Sequence, residues 1–140
     1  MLDTTGELNW LLDDLVGRIA RVRQAMILTG DGLPMGTSRG METSEAERFA
    51  ALAAGCHGLA RTVSERVEGG DIRQTVIELE KAFLFVVAAG DGTCLAVVSE
   101  GDANIGLIAY EMARLVKRVR RHLATSTRSA GRPDGTPGGA

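Results

Sequence analysis

Apolar positions recur along this chain with a period that changes from segment to segment, and the period predicts the element. Leu8, Leu11, Leu12, Leu15, Val16 and Ile19 recur at helical spacing, and Thr4 or Thr5 is available as a cap. From Gln24 to Thr29 the pattern shifts to a short apolar run, a strand candidate, and Leu33 to Ser38 follows a glycine-rich bend closely enough to be its hairpin partner. Pro34 has no N–H to donate, which suits an edge strand. Ser44 and Glu47 match the S-x-x-E capping box, in which hydroxyl and carboxylate each satisfy an orphan backbone donor, so a second helix is expected from Ser44 to about Val67.

Glu68 to Asp71 (EGGD) breaks that helix, and Arg73 to Glu80 has the partly alternating look of a strand with charged positions. Phe83 to Ala89 and Thr93 to Ser99 are near-continuous apolar runs, as expected of strands covered on both faces. A last helix starts near Asp102 and puts Ile105, Ile108, Met112, Leu115, Val116, Val119 and Leu123 on one stripe. From Thr125 onward nothing apolar is larger than alanine, too little burial to offset the entropy of ordering. The expectation is therefore one domain over residues 1–124, in the order α-β-β-α-β-β-β-α, and a disordered Ser/Thr/Gly/Pro/Arg tail over 125–140. Its class is α/β, with an antiparallel sheet covered by helices on both faces.

Composition narrows the function classes. With 140 residues, 44% of them hydrophobic, and a net charge of -2, the chain has a core of ordinary size and no global field that would draw nucleic acid. No uncharged apolar run approaches the ~18 residues that span a bilayer. The start, MLDTTGELNW, lacks the basic and apolar regions of a signal peptide, so a cytoplasmic protein without direct membrane insertion is expected. Cys56 and Cys94 form no C-x-x-C, and His57 and His122 have no companions at ligand spacing, so neither metal nor cofactor is expected.

The tripeptide Gly-Asp-Gly occurs twice, at Gly30–Gly32 and Gly90–Gly92. A phosphate cradle would need G-x-x-x-x-G-K-[ST], or G-x-G-x-x-G opening a helix, and neither string is present. Both copies instead lie between apolar runs, where Asp-Gly is a strong hairpin signal. No G-x-S-x-G or H-E-x-x-H occurs, and Asp13 with Asp14 reads as a polar helix face, not an acid/base dyad. No catalytic residue is nominated.

The second helix is unusual. Phe49, Leu52, Ala53, Cys56, Leu59, Ala60, Val63 and Val67 share one side, expected to be the core side. The opposite side carries Ala51, Ala54, Gly55, Gly58 and Thr62 where long charged residues would be usual, bordered by Glu47, Arg61 and Glu65. Each interior glycine costs about 1 kcal/mol against alanine, so a bare strip suggests a surface where a second polypeptide docks. Glu47, Ala51, Ala54, Gly55, Gly58, Arg61 and Thr62 are the candidate partner-binding residues. Gln74, Val76, Glu78 and Glu80 mark an edge strand that is either blunted by its charges or pairs with a second copy into one continuous sheet. On the last helix Arg114, Lys117, Arg118 and Arg121 share a basic face; such a face can meet anionic lipid, nucleic acid or an acidic protein, but solubility and the helix dipole explain it more simply.

Together ILTGDGLPMGTS, ERFAALAAGCHGLA and RQTVIELEKAFLFVVAAGDGTCLAVVSEGDANIGLIAYEM resemble the Roadblock/dynein light chain family over Leu8 to Leu123, most of all its bacterial, MglB-like branch found in actinobacterial conservon operons. The resemblance implies a profilin-like three-layer α/β/α sandwich around a five-stranded antiparallel sheet. It implies a homodimer that extends the sheet and sets the two second helices side by side. It also implies a non-catalytic regulator of a small Ras-like GTPase, in some members a GTPase-activating partner, which contacts the GTPase through the second helix. A sensor-kinase-like membrane protein is an implied fellow component, which would place the complex peripherally at the membrane. The alternative reading is a stand-alone PAS- or GAF-like ligand sensor, which requires a cavity between helix and sheet. Arg118 to Arg121 and the residues after Thr125 match no family motif.

Overall fold

The computed structural model describes residues 4–90 and 92–131. The elements are α1 (Thr4–Arg18), β1 (Val22–Thr29), β2 (Pro34–Thr37), α2 (Thr43–Val67), β3 (Thr75–Glu78), β4 (Ala82–Gly90), β5 (Thr93–Glu100) and α3 (Ile105–Gly131), the order that periodicity predicts. The five strands form one antiparallel sheet in the order β2-β1-β5-β4-β3. Helices lie on both faces, giving an α/β three-layer sandwich.

The alternation of side chains along the central strands divides the core in two. Ala25, Ile27, Phe83, Phe85, Leu95 and Val97 meet Leu8, Leu12 and Leu15 of α1 and Ile108, Met112 and Val119 of α3. On the other face Met26, Leu28, Val86, Cys94 and Ala96 meet Ala46, Ala50 and Ala53 of α2. Phe83 and Phe85 stack with ring centroids 5.7 Å apart. Gly36 lets β2 run against α1, because a Cβ there would lie 2.8 Å from the Cβ of Leu8. Asn9 and Asp13, one turn apart on α1, accept the backbone N–H groups of Thr37 and Arg39 at 2.8 and 2.7 Å. Asp13 is thus a structural anchor for the chain leaving β2.

Gly30 follows β1 and Gly90 ends β4 at the same end of the sheet, where the Gly30 N–H donates to the Gly92 carbonyl at 2.8 Å; Asp91, the middle of the second expected turn, lies outside the described residues. Gly32 adopts φ 93°, as a tight turn requires.

Three local expectations need correction. The start of α2 has Glu42 at the cap without a side-chain bond, so the Ser44–Glu47 capping box is not formed. The helix begins at Thr43, which puts Ser44 inside the first turn and too far along to act as the cap. The last helix begins at Ile105 rather than near Asp102, with Asn104 Oδ1 accepting the Leu107 N–H at 3.0 Å. Its backbone continues to Gly131, across the first part of the stretch expected as a tail, while residues 132–140 lie outside the described residues.

Candidate interaction surface

The small residues of α2 lie nearer the sheet than expected. Ala46, Ala50 and Ala53 are its buried positions, and Ala54 packs beside them. Their short side chains let the helix approach the sheet closely. The first hairpin turn also comes against the helix: a Cβ on Gly32 would lie 3.5 Å from the Ala51 Cα and 3.8 Å from the Ala54 Cβ.

The expected core face is therefore corrected. Leu52, Leu59 and Val67 are 66, 67 and 67% exposed, and Val63 is 53% exposed. The apolar arc of α2, from Ala46, Ala50 and Ala53 round to Leu59 and Val63, is wider than one sheet can cover, and the alanine part took the sheet. Helical periodicity places the leucines inward together with Ala53, and of that set Ala53 is the member the sheet fully buries. What the sequence reading missed is this outward apolar ridge, and the signal for it was the width of the arc.

The nominated partner-binding residues divide accordingly. Ala51, Ala54, Gly55, Gly58 and Thr62 share a flank of the helix, but Ala54 is half-buried against its own fold. At Gly55 and Gly58 an added Cβ would meet nothing within 4 Å, so that part of the strip is open. Thr62 spends its hydroxyl on the Gly58 carbonyl at 3.1 Å. Glu47 and Arg61 are exposed on the borders.

The edge strand is shorter than expected, Thr75–Glu78, leaving Gln74 and Glu80 outside it. Strand β3 pairs with β4 on one side and ends the sheet on the other. Its register sets Val76 opposite Phe85 and Glu78 opposite Phe83, on the α1/α3 face, whereas Thr75 and Ile77 lie opposite Val86 and Leu84 on the α2 face. Ile77, not nominated from sequence, therefore faces the ridge. Between them runs an open groove of about 470 Å³ lined by Leu59, Val63, Val67, Ile72, Thr75 and Ile77. Leu79, 57% exposed, lies just past the strand end. At the foot of the groove α2 stops at Glu68, whose φ of 55° is left-handed, and the Gly69 N–H bonds to the Ser64 carbonyl.

The titratable groups near α2 are suited to packing. Burial pushes the Cys94 thiol up, with Arg61 opposing, which favours the unreactive protonated form. Burial, and secondarily the charge of Arg61, pushes the His57 imidazole down, and its Nδ1 has no hydrogen-bond partner among the described residues. Among the described residues no three His, Cys, Asp or Glu side chains group to hold a metal ion, and no helix is long and apolar enough to cross a membrane. The sheet face under α2 is filled by Ala46, Ala50 and Ala53, where the ligand-sensor alternative calls for space. An apolar ridge, an open flank and a free strand edge are features for binding protein.

Comparison with known proteins agrees with that description. The family model described as the Roadblock/LC7 domain matches residues 8–99. A solved Roadblock/LC7 domain from Streptomyces avermitilis is 43% identical, with 84% of this chain and 98% of that chain covered and a TM-score of 0.80. Myxococcus xanthus MglB is 13% identical, with 85% of this chain and 96% of that chain covered and a TM-score of 0.77. Acanthamoeba castellanii profilin IA is 18% identical, covering 80% and 95%, with a TM-score of 0.53. The last two are similarities of fold.

Proposed function

We propose a function on one premise: this chain belongs to the Roadblock/LC7 domain family. Members are regulatory and binding domains, and the MglB and MglC neighbours make small-GTPase-regulating adaptors the relevant kind. On this reading the protein is a self-associating, non-catalytic adaptor that binds a Ras-like GTPase and modulates its nucleotide cycle. It works in a complex held at the membrane by a sensor-kinase-like partner.

The observation that carries the reading is the outward ridge Leu52, Leu59, Val63 and Val67, continuous through the groove with Ile77 and the free edge of β3. Each of these side chains is half to two-thirds exposed, so covering it is worth about 1–2 kcal/mol, and covering several of them is a strong drive to associate. A second copy supplies the same ridge and the same edge, and an isologous pairing covers both at once. The open flank at Gly55 and Gly58 then faces away from the groove and is free for the GTPase.

Sedimentation of the full chain and calorimetry against a Ras-like GTPase loaded with GDP or a GTP analogue test the two halves separately. A dimer that binds at least one nucleotide state is expected. A monomer at every concentration removes the self-association, and no binding in either state removes the GTPase.

A further inference from the structure

We propose that the outer face formed by α1 and α3, on the opposite side of the sheet from α2, is an adsorption surface for an anionic lipid bilayer. On α3, Tyr110, Arg114, Lys117, Arg118 and Arg121 follow one another at helical spacing and are all exposed. Sequence periodicity leaves this stripe without an aromatic neighbour beyond Tyr110. The fold supplies one: Trp10, on α1, lies beside the stripe with the Arg118 guanidinium 5.8 Å from its ring centroid. Arg114 lies 6.0 Å from the centroid of Tyr110 in the same way. Trp10 is 60% and Tyr110 61% exposed, so two amphipathic rings and their cations form one outward surface.

The charges on this face do not cancel. Asp14 and Glu111 are engaged by Arg18 at 2.8 and 2.9 Å, Glu111 also by Arg114 at 3.5 Å, Asp13 by Arg39 at 3.2 Å and Glu7 by His122 at 2.7 Å. Among the described residues Asp13, Asp14 and Glu111 thus each have an arginine and Glu7 a hydrogen-bonding histidine, whereas Lys117, Arg118 and Arg121 have no carboxylate within 4.0 Å, so the cations of this face outnumber its carboxylates. The chain as a whole carries -2, so this positive surplus is local and orienting.

A bilayer fits this pattern better than an acidic peptide does. The outside of two packed helices offers no free strand edge on which an extended segment could pair. The indentation beside Trp10, about 640 Å³ with Leu11, Arg118 and Arg121 among its lining, takes a lipid headgroup more readily than a helix or strand. Tryptophan and tyrosine rings flanked by cations are the side chains that settle at the headgroup level. Adsorption on this face would leave α2 and its groove pointing to solution, so the inference stands apart from the GTPase reading.

The test is flotation of the full chain with vesicles of phosphatidylcholine alone or with one-third phosphatidylglycerol, following the emission of Trp10, the chain's single tryptophan. Binding to the anionic vesicles only is expected, with a blue shift of Trp10 and loss of binding in about 0.5 M salt. K117E/R118E/R121E should weaken binding at least about tenfold, and W10A a few-fold, following about tenfold per 1.4 kcal/mol with about 1 kcal/mol for each cation near the surface. Arg48→Glu, a charge reversal on α2, should change nothing. Circular dichroism checks that each variant folds. No binding to anionic vesicles at low salt, binding indifferent to the triple reversal, or an unshifted Trp10 spectrum in the bound state would each overturn the proposal. So would capture of an acidic protein through these cations by a chain that ignores vesicles.

Discussion

The two sides of the sheet are finished to different degrees. On one, α1 and α3 bring Leu8, Leu12, Leu15, Ile108, Met112 and Val119 down onto Phe85 and Val97, and all of these are essentially out of water. The Arg18 guanidinium then clasps Glu111 across the two helices at 2.9 Å. On the other, a single helix meets the sheet through alanines and turns its leucines and valines outward. The usual amphipathic helix buries its large apolar side chains and exposes small or polar ones. The α2 layer inverts that rule, and the inversion is what the proposed self-association explains: an outward apolar ridge that a second polypeptide would cover, where the α1/α3 core is covered within the monomer.

Truncation should separate the sides most sharply. Phe85→Ala removes a fully buried ring between two helices, and a loss of about 3–5 kcal/mol is expected in urea unfolding of the chain. Ala53→Leu asks the opposite of the α2 layer, forcing added methylenes between helix and sheet where the alanine has no exposure, at a cost of about 1–3 kcal/mol in the same experiment. Were Ala53→Leu neutral, α2 would not be seated closely and the contrast between the layers would fail.

Leu59→Ser sharpens the comparison from outside. At high dilution, where the chain is monomeric, its unfolding free energy should move by less than about 0.5 kcal/mol, because the leucine is 67% exposed. In sedimentation equilibrium at higher concentration the dimer should be lost. A stability loss in the monomer comparable to that of Phe85→Ala would mean that the ridge is core after all. Gly58→Arg probes the flank beside it: no neighbour stands within 4 Å of the new Cβ, and a helix-interior glycine is relieved, so the chain should gain up to about 1 kcal/mol while GTPase binding falls. Ala54→Arg would be a poorer probe, since Ala54 already packs against the turn at Gly32.

Most of this architecture was legible in the sequence because period and length report directly on elements. The β4 and β5 runs announced a sheet covered on both faces, and Asp-Gly between apolar runs announced hairpins. The rotation of α2 was not legible. Helical spacing gives the angle between residues but not which part of a wide apolar arc faces inward, and the edge of the arc at Ala46, Ala50 and Ala53 is buried while Leu52 and Leu59 are turned out. The α3 start was off by a few residues because Asn104, not Asp102, caps it. Of the surface proposed for binding, α2 and the β3 edge were singled out from sequence, yet Ile77 was not, since only register tells which of Val76 and Ile77 faces the helix. Trp10 beside Arg118 was beyond reach, because no sequence spacing joins α1 to α3.

The smallest effect expected is a difference in how acid loosens the molecule. His57, on α2, has its pKa held below the ordinary 6.5 by burial first and by Arg61 second. The folded chain therefore takes up this proton less readily than the unfolded chain. Stability from His57 is whole above about pH 6.5, declines as the pH falls through that value, and is fully lost below the folded pKa. Glu100, at the far end of β5 from its hairpin, is held below the ordinary 4.5 mainly by its hydrogen bonds to Arg23, so its contribution persists until the pH drops below about 4.5 and through the folded value. The two groups thus act in separate windows, the α2 side first. Melting temperature followed between pH 7 and 5 should fall for the native chain and fall less steeply for His57→Gln, while Glu100→Gln should leave the slope in that interval unchanged. Parallel slopes for the native chain and His57→Gln would show that acid does not reach the α2 layer first.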